Sequence, residues 1–159
     1  INFGVKLVDS SYTYTVESIT VTGAKGGTAT YTFGGTEGKG GNWNITGSAP
    51  ASGYSYTFDN TVTAKDGIYD YTQNDNSLML YPQSLTDAKI IVKYKTEKDN
   101  ATFFNDSKEV SLTGEWTNGQ SIRYILTLPV GAEEMSVNTT YDENWDATDN
   151  EQTPKNPAS

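Results

Sequence analysis

The sequence predicts an all-β protein, a two-layer antiparallel β-sandwich built around one core. Strand-like alternations recur at short intervals between clusters of Gly, Asn and Asp, and no segment keeps helical spacing for three turns. Thr, Tyr, Gly, Asn and Ser are abundant and apolar residues make up only 35%, the profile of an exposed sheet protein. The low aliphatic content does not imply disorder, because 11 Tyr, 3 Trp and 5 Phe bring a large buried area per side chain. A length of 159 residues suits one two-layer domain and falls short of two.

The first element spans 1–8, with Ile1, Phe3, Val5 and Leu7 on one face and Asn2, Gly4 and Lys6 on the other, a half-buried strand. In 12–22, Tyr12, Tyr14 and Val16 alternate before Ile19 and Val21 take the opposite parity, so a β-bulge is expected at Glu17 and Ser18. Residues 23–27 turn the chain into a strand at 28–33. Glycines at 34, 35, 38, 40, 41, 47 and 53 then mark a loop-rich connection with one short strand at 42–46. Strands at 54–58 and 60–64 follow, then a polar turn around Gln73 to Asn76.

Pro82, after Leu78 to Tyr81, belongs at a strand end or edge because it cannot donate to a ladder. Residues 88–96 put Ile90, Val92 and Tyr94 on one face beside Lys89, Lys93 and Lys95. Residues 108–113 and 120–128 carry Val110 and Leu112, then Ile122, Tyr124, Leu126 and Leu128, and Asn118-Gly119 suggests that the two runs form a hairpin. A final strand at 133–141 turns Met135 and Val137 inward. One sandwich domain is thus expected over 1–146, with Trp145 as its last anchor, and an acidic, Pro-containing flexible tail over 147–159.

Several function classes are disfavoured by composition. A net charge of −9 argues against nucleic acid, whose phosphates require clustered Lys and Arg. With no His and no Cys, the commonest parts of nucleophilic triads and transition-metal sites are missing, and no pair of carboxylates stands in a pattern that identifies an acid and its partner. The expectation is a protein that is not an enzyme, with no catalytic, metal or cofactor-binding residue and no cofactor. No apolar run approaches the roughly 20 residues of a membrane-spanning helix. Ile1 opens directly into a strand pattern, so a leader and an N-terminal domain are expected upstream.

Four residue groups remain open to a functional or a structural reading. The 142–151 run could hold calcium, but it lacks the spacing and central Gly of an EF-hand loop, which favours a solvated acidic tail. Trp43, Tyr54 and Tyr56 could form an aromatic platform for sugar, against the commoner role of alternating aromatics in packing, and packing is also preferred for Trp116 and Trp145. Lys89, Lys93, Lys95 and Lys98 could form a basic patch, against the wet face of a strand. Asn44, Asn100, Asn105 and Asn138 each begin an Asn-X-Ser/Thr sequence, a match that a chain rich in Asn and Thr produces by chance.

Three stretches also carry a family likeness: INFGVKL at 1–7 with YTVESITVTGAKGGTATY at 14–31, LYPQSLTDAKIIVKYK at 80–95, and GEWTNGQSIRYILTL at 114–128. In order and spacing they resemble the C-terminal half of the fimbrillin-like surface proteins of Bacteroidales-type Gram-negative bacteria. The chain differs in having Ile122 and Ile125 flank Tyr124, where the family often shows a denser Tyr repeat, and in running more than a dozen residues past Trp145. The resemblance implies a transthyretin-like sandwich, export as a lipoprotein, and display at the outer membrane as a subunit of a fimbrium or pilus active in cell adhesion. Its partners would be other fimbrial subunits, joined by β-strand addition through either the 133–141 strand with its tail or an N-terminal strand upstream, residues 133–151 being the mobile candidate, and a host glycan or protein receptor. A carbohydrate-binding module and an Ig-like spacer domain of a surface protein are the competing expectations; no ligand-binding residue is assigned.

Overall fold

The computed structural model describes residues 1–34, 41–58, 61–62, 68–70 and 77–141. Among them there is no helix. The strands are β1 (Asn2–Leu7), β2 (Thr13–Thr22), β3 (Ala29–Thr32), β4 (Asn42–Ile45), β5 (Tyr54–Thr57), β6 (Thr61–Val62), β7 (Tyr69–Asp70), β8 (Gln83–Ser84), β9 (Lys89–Lys98), β10 (Ala101–Ser111), β11 (Glu115–Trp116), β12 (Ile122–Leu128) and β13 (Ser136–Tyr141).

One sheet runs β13-β12-β1-β7 and a second runs β10-β9-β2-β5, with β6 also pairing β2. Two small ribbons, β3-β4 and β8-β11, complete the set. All pairings are antiparallel except β1 with β12, which run parallel from Asn2↔Arg123 to Leu7↔Leu128.

That parallel pair departs from the wholly antiparallel expectation, and the sequence of β1 explains how it is accommodated. A parallel strand is usually covered on both faces, and Phe3, Gly4 and Val5 are buried in succession. Phe3 and Val5 enter the core, whereas Gly4 lies under the Ile68 and Arg123 side chains, so close that a Cβ would meet Ile68 Cγ2 at 2.6 Å.

The core follows the period-2 alternation. Phe3 and Val5 of β1, Ile122, Tyr124, Leu126 and Leu128 of β12, Tyr14, Val16, Ile19 and Val21 of β2, and Ile90, Val92 and Tyr94 of β9 belong to one buried cluster. Burying each such side chain contributes about 1.5–3 kcal/mol. The β2 register slips between Val16 and Ser18 against β9, so the bulge expected at Glu17 and Ser18 is present and keeps both apolar parities on the inner face. The Phe3 ring lies 6.2 Å from Tyr124, its neighbour in the same sheet, and reaches across to the other sheet at Tyr56, 6.4 Å away. Two hydrogen bonds tie β9 to the turn after β12, from Tyr94 OH to the Pro129 carbonyl at 2.7 Å and from Thr96 Oγ1 to the Val130 carbonyl at 2.6 Å.

Desolvation raises the phenol pKa of Tyr14, Tyr94 and Tyr124 above the ordinary 10.0. A proton held more tightly in the folded chain gives stability that is complete below the unfolded value and is lost as pH rises through the higher folded values. Cooperative unfolding is therefore expected as pH climbs beyond about 10. Circular dichroism recorded alongside tyrosinate absorbance checks it; ionisation of these three phenols with the sheets intact would contradict their burial.

Most other expected strands are present, with adjustments. Pro82 stands immediately before β8, and the strand expected at 133–141 begins at Ser136, with Met135 buried just ahead of it. The 108–113 run is the end of a longer strand that starts at Ala101. The hairpin expected between 108–113 and 120–128 does not form: β10 pairs with β9, whereas β12 pairs with β1 and β13. The tight turn lies instead at Asp99 and Asn100, both with positive φ (52° and 61°), the backbone that a two-residue hairpin of the twist-matched type requires. The polar turn at Gln73 to Asn76, the tail and Trp145 lie outside the described residues.

Candidate cleft and sheet edges

The β3-β4 ribbon carries an aromatic wall. Tyr31 and Trp43 are cross-strand partners with ring centroids 5.0 Å apart, and Trp43 meets Tyr81 at 5.2 Å. Phe33 extends the row beyond Tyr31 at 5.1 Å and is 84% exposed. The ribbon is fixed by backbone bonds from Thr46 and Gly47 to the Thr28 carbonyl, and by the Gly41 amide donating to Tyr31 OH at 2.7 Å. Tyr81 is set by its hydroxyl, which donates to the Gly27 carbonyl at 3.3 Å. Nearby, Gln83 clamps the same turn: its Oε1 accepts from the Lys25 amide at 2.7 Å and its Nε2 donates to the Lys25 carbonyl at 3.0 Å.

This wall borders a cleft of about 710 Å³ whose other sides are segment 77–82 and loop 117–121. Trp116, buried, also lines it and donates from its indole N–H to Tyr124 OH at 2.8 Å. The 117–121 loop contributes Thr117, Asn118, Gln120 and Ser121, and Gln120 Oε1 accepts from the Thr117 amide at 3.1 Å. Among the described residues no Asp, Glu, Lys or Arg side chain lines the cleft.

The three aromatics considered for a platform are not brought together. Trp43 and Tyr54 both line the cleft, whereas Tyr56 packs on Phe3 at 6.4 Å and on Phe58 at 6.4 Å. Tyr81 lines the cleft with them, and Tyr31 backs Trp43 from outside the lining. Their place depends on two ribbons meeting, which alternation within one segment cannot reveal.

The lysine face is wet and locally neutralised. Lys89 pairs with Glu109 at 2.7 Å, Lys93 with Glu17 at 2.7 Å and Lys95 with Glu97 at 3.0 Å. The Lys98 ammonium sits 5.0 Å over the Tyr12 ring. Exposed pairs of this kind contribute about 0–1 kcal/mol each, and with three of the four cations paired to a carboxylate they do not add up to a basic patch. Asn44, Asn100, Asn105 and Asn138 are all exposed, the first on β4, the second in the β9-β10 turn and the others on β10 and β13.

Each large sheet ends on one side in β13 or β10 and on the other in β7 or β5. β10 is 11 residues long and β13 is 6, and among the described residues no further strand pairs with either. Open edges present N–H and C=O groups that another chain can pair with. No family model, no curated protein and no solved structure matches this chain.

Proposed function

We propose that the chain is a structural and adhesive subunit of a bacterial surface fibre, a transthyretin-like β-sandwich of fimbrillin type displayed at the outer membrane and joined to its neighbours by β-strand addition. The observation that carries this reading is the state of β13. It is held by its ladder to β12 from Ile122↔Tyr141 to Thr127↔Ser136, while Ser136, Asn138, Thr139 and Tyr141 are exposed. A strand retained by backbone hydrogen bonds, each worth about 0.5–1.5 kcal/mol net, and by one apolar side chain, Val137, packed against the core can be exchanged for an equivalent segment of another subunit, which restores both. The sharing of one buried cluster by both large sheets supports the sandwich, and the sequence likeness supports the family.

Deletion of residues 133–151 tests the assignment. The expected product is a chain less stable for the loss of Met135 from the core, one that no longer self-associates and that captures a synthetic peptide spanning 133–151, as read by size-exclusion chromatography and native mass spectrometry. Unchanged folding together with unchanged self-association would exclude this segment as the exchanged element.

A further inference from the structure

We infer that the cleft between the Trp43 wall and the 117–121 loop is a binding site for a neutral oligosaccharide. Tyr31, Trp43 and Tyr81 form a contiguous row of rings, at 5.0 and 5.2 Å, yet none of them belongs to the buried cluster or to the partly buried residues packed against it. Core packing therefore does not account for them, and a rigid aromatic row at the surface is a contact surface. A pyranose ring matches it: its C–H face is apolar enough to lie on an aromatic ring, while its hydroxyls point outward and need hydrogen-bond partners.

Those partners are available. Among the described residues the Trp43 indole N–H and the Asn118 side chain have no hydrogen-bond partner, and Gln120 uses only its Oε1. Together they offer donors and acceptors of the uncharged kind that hydroxyl groups can satisfy in either direction. Charge narrows the class further. In a chain of net charge −9, this cleft gathers aromatic, amide and hydroxyl groups, and among the described residues no charged side chain lines it. Among the described residues a sialylated or sulfated glycan would meet no cationic side chain, only the Ile1 ammonium already committed to the Leu78 carbonyl at 2.8 Å, and a basic peptide would meet no carboxylate.

At about 710 Å³ the cleft lies within the roughly 300–1,000 Å³ of small-ligand sites and has room for a few linked rings. Proline-rich peptides also use aromatic grooves, but they call for fewer polar groups than the amide and hydroxyl side of this cleft supplies. The hydrogen bonds of Tyr81 and Gln83 to the 25–27 turn hold the wall in place before a ligand arrives, which limits the ordering cost of binding.

This inference stands on the cleft and does not depend on strand addition, so the monomeric full chain is the right sample. Saturation-transfer NMR and calorimetry would compare cellotriose, chitotriose and a neutral lactose-based tetrasaccharide with sialyllactose and a proline-rich peptide. The expected result is binding of at least one neutral oligosaccharide, weakened about tenfold or more by Trp43→Ala and by Gln120→Ala, with the circular dichroism spectrum unchanged. If Trp43→Ala misfolds, Gln120→Ala and Asn118→Ala in the exposed loop carry the comparison. Silence from all neutral probes, binding of sialyllactose or the peptide alone, or binding that survives every folded variant would overturn it. A chain that binds sugar but never assembles would leave this inference standing and remove the fimbrial one.

Discussion

Trp116→Ala is expected to lower the unfolding free energy by about 3–5 kcal/mol, the range for truncating a buried aromatic side chain. Trp116 is 5% exposed and belongs to the core cluster, although it sits on the two-residue strand β11, whose ladder to β8 is too short to hold it. Its anchor is the hydrogen bond to Tyr124 OH at 2.8 Å. Trp116→Phe separates the two contributions: it keeps most of the buried area but leaves the Tyr124 hydroxyl short of a donor, at about 1–3 kcal/mol. It also removes the bond that partly offsets the burial-raised pKa of Tyr124, so that phenol should ionise at still higher pH. Urea unfolding followed by circular dichroism reads both variants, with the midpoint falling and the slope unchanged. An alanine variant as stable as the parent would mean that the ring is not part of the core.

Gly23→Ala should cost about 3 kcal/mol or more. A left-handed backbone alone strains a non-glycine residue by about 1–3 kcal/mol, and Gly23 has φ 75°. A methyl group there would also run into the Asp87 carbonyl, a backbone atom just ahead of β9 that cannot rotate away. Gly119→Ala is the matched control, since Gly119 has the same φ of 75° with no atom within 4 Å of an added Cβ. Only the backbone contribution applies to it, about 1–2 kcal/mol. Thermal melts of the pair isolate the clash, and equal losses would show that the β2-β9 end can yield.

Much of the fold was legible because burial follows alternation. The parity change across Glu17 and Ser18 announced the β2 bulge, and Ile90, Val92 and Tyr94 announced β9. β10 was legible only at its end, because Thr102, Phe103, Asn105, Asp106 and Ser107 lie exposed on an edge strand and are under no pressure to alternate. The bulge between Thr102 and Phe104 breaks the pattern again and leaves Phe103 outside, edge-on to Tyr12 at 5.1 Å. Asn118-Gly119 misled the pairing because it lies on the path between sheets, from β11 to β12, rather than between partners. In the cleft, Trp43 and Tyr54 were found from residue type, but Tyr81 joins them only through tertiary bonds made by its hydroxyl and by Gln83.

The parallel alliance of residues 2–7 with residues 122–128 makes one sheet depend on the longest loop closure among the strand pairs described. β1 has to find a partner far along the chain, whereas β9 and β10 pair across a two-residue turn. Closing so long a loop is slow compared with local pairing, so the sheet that holds β1 is the last to knit together. Until then Phe3 and Val5 are without their cover, which makes that interval the one in which a chaperone has something to hold.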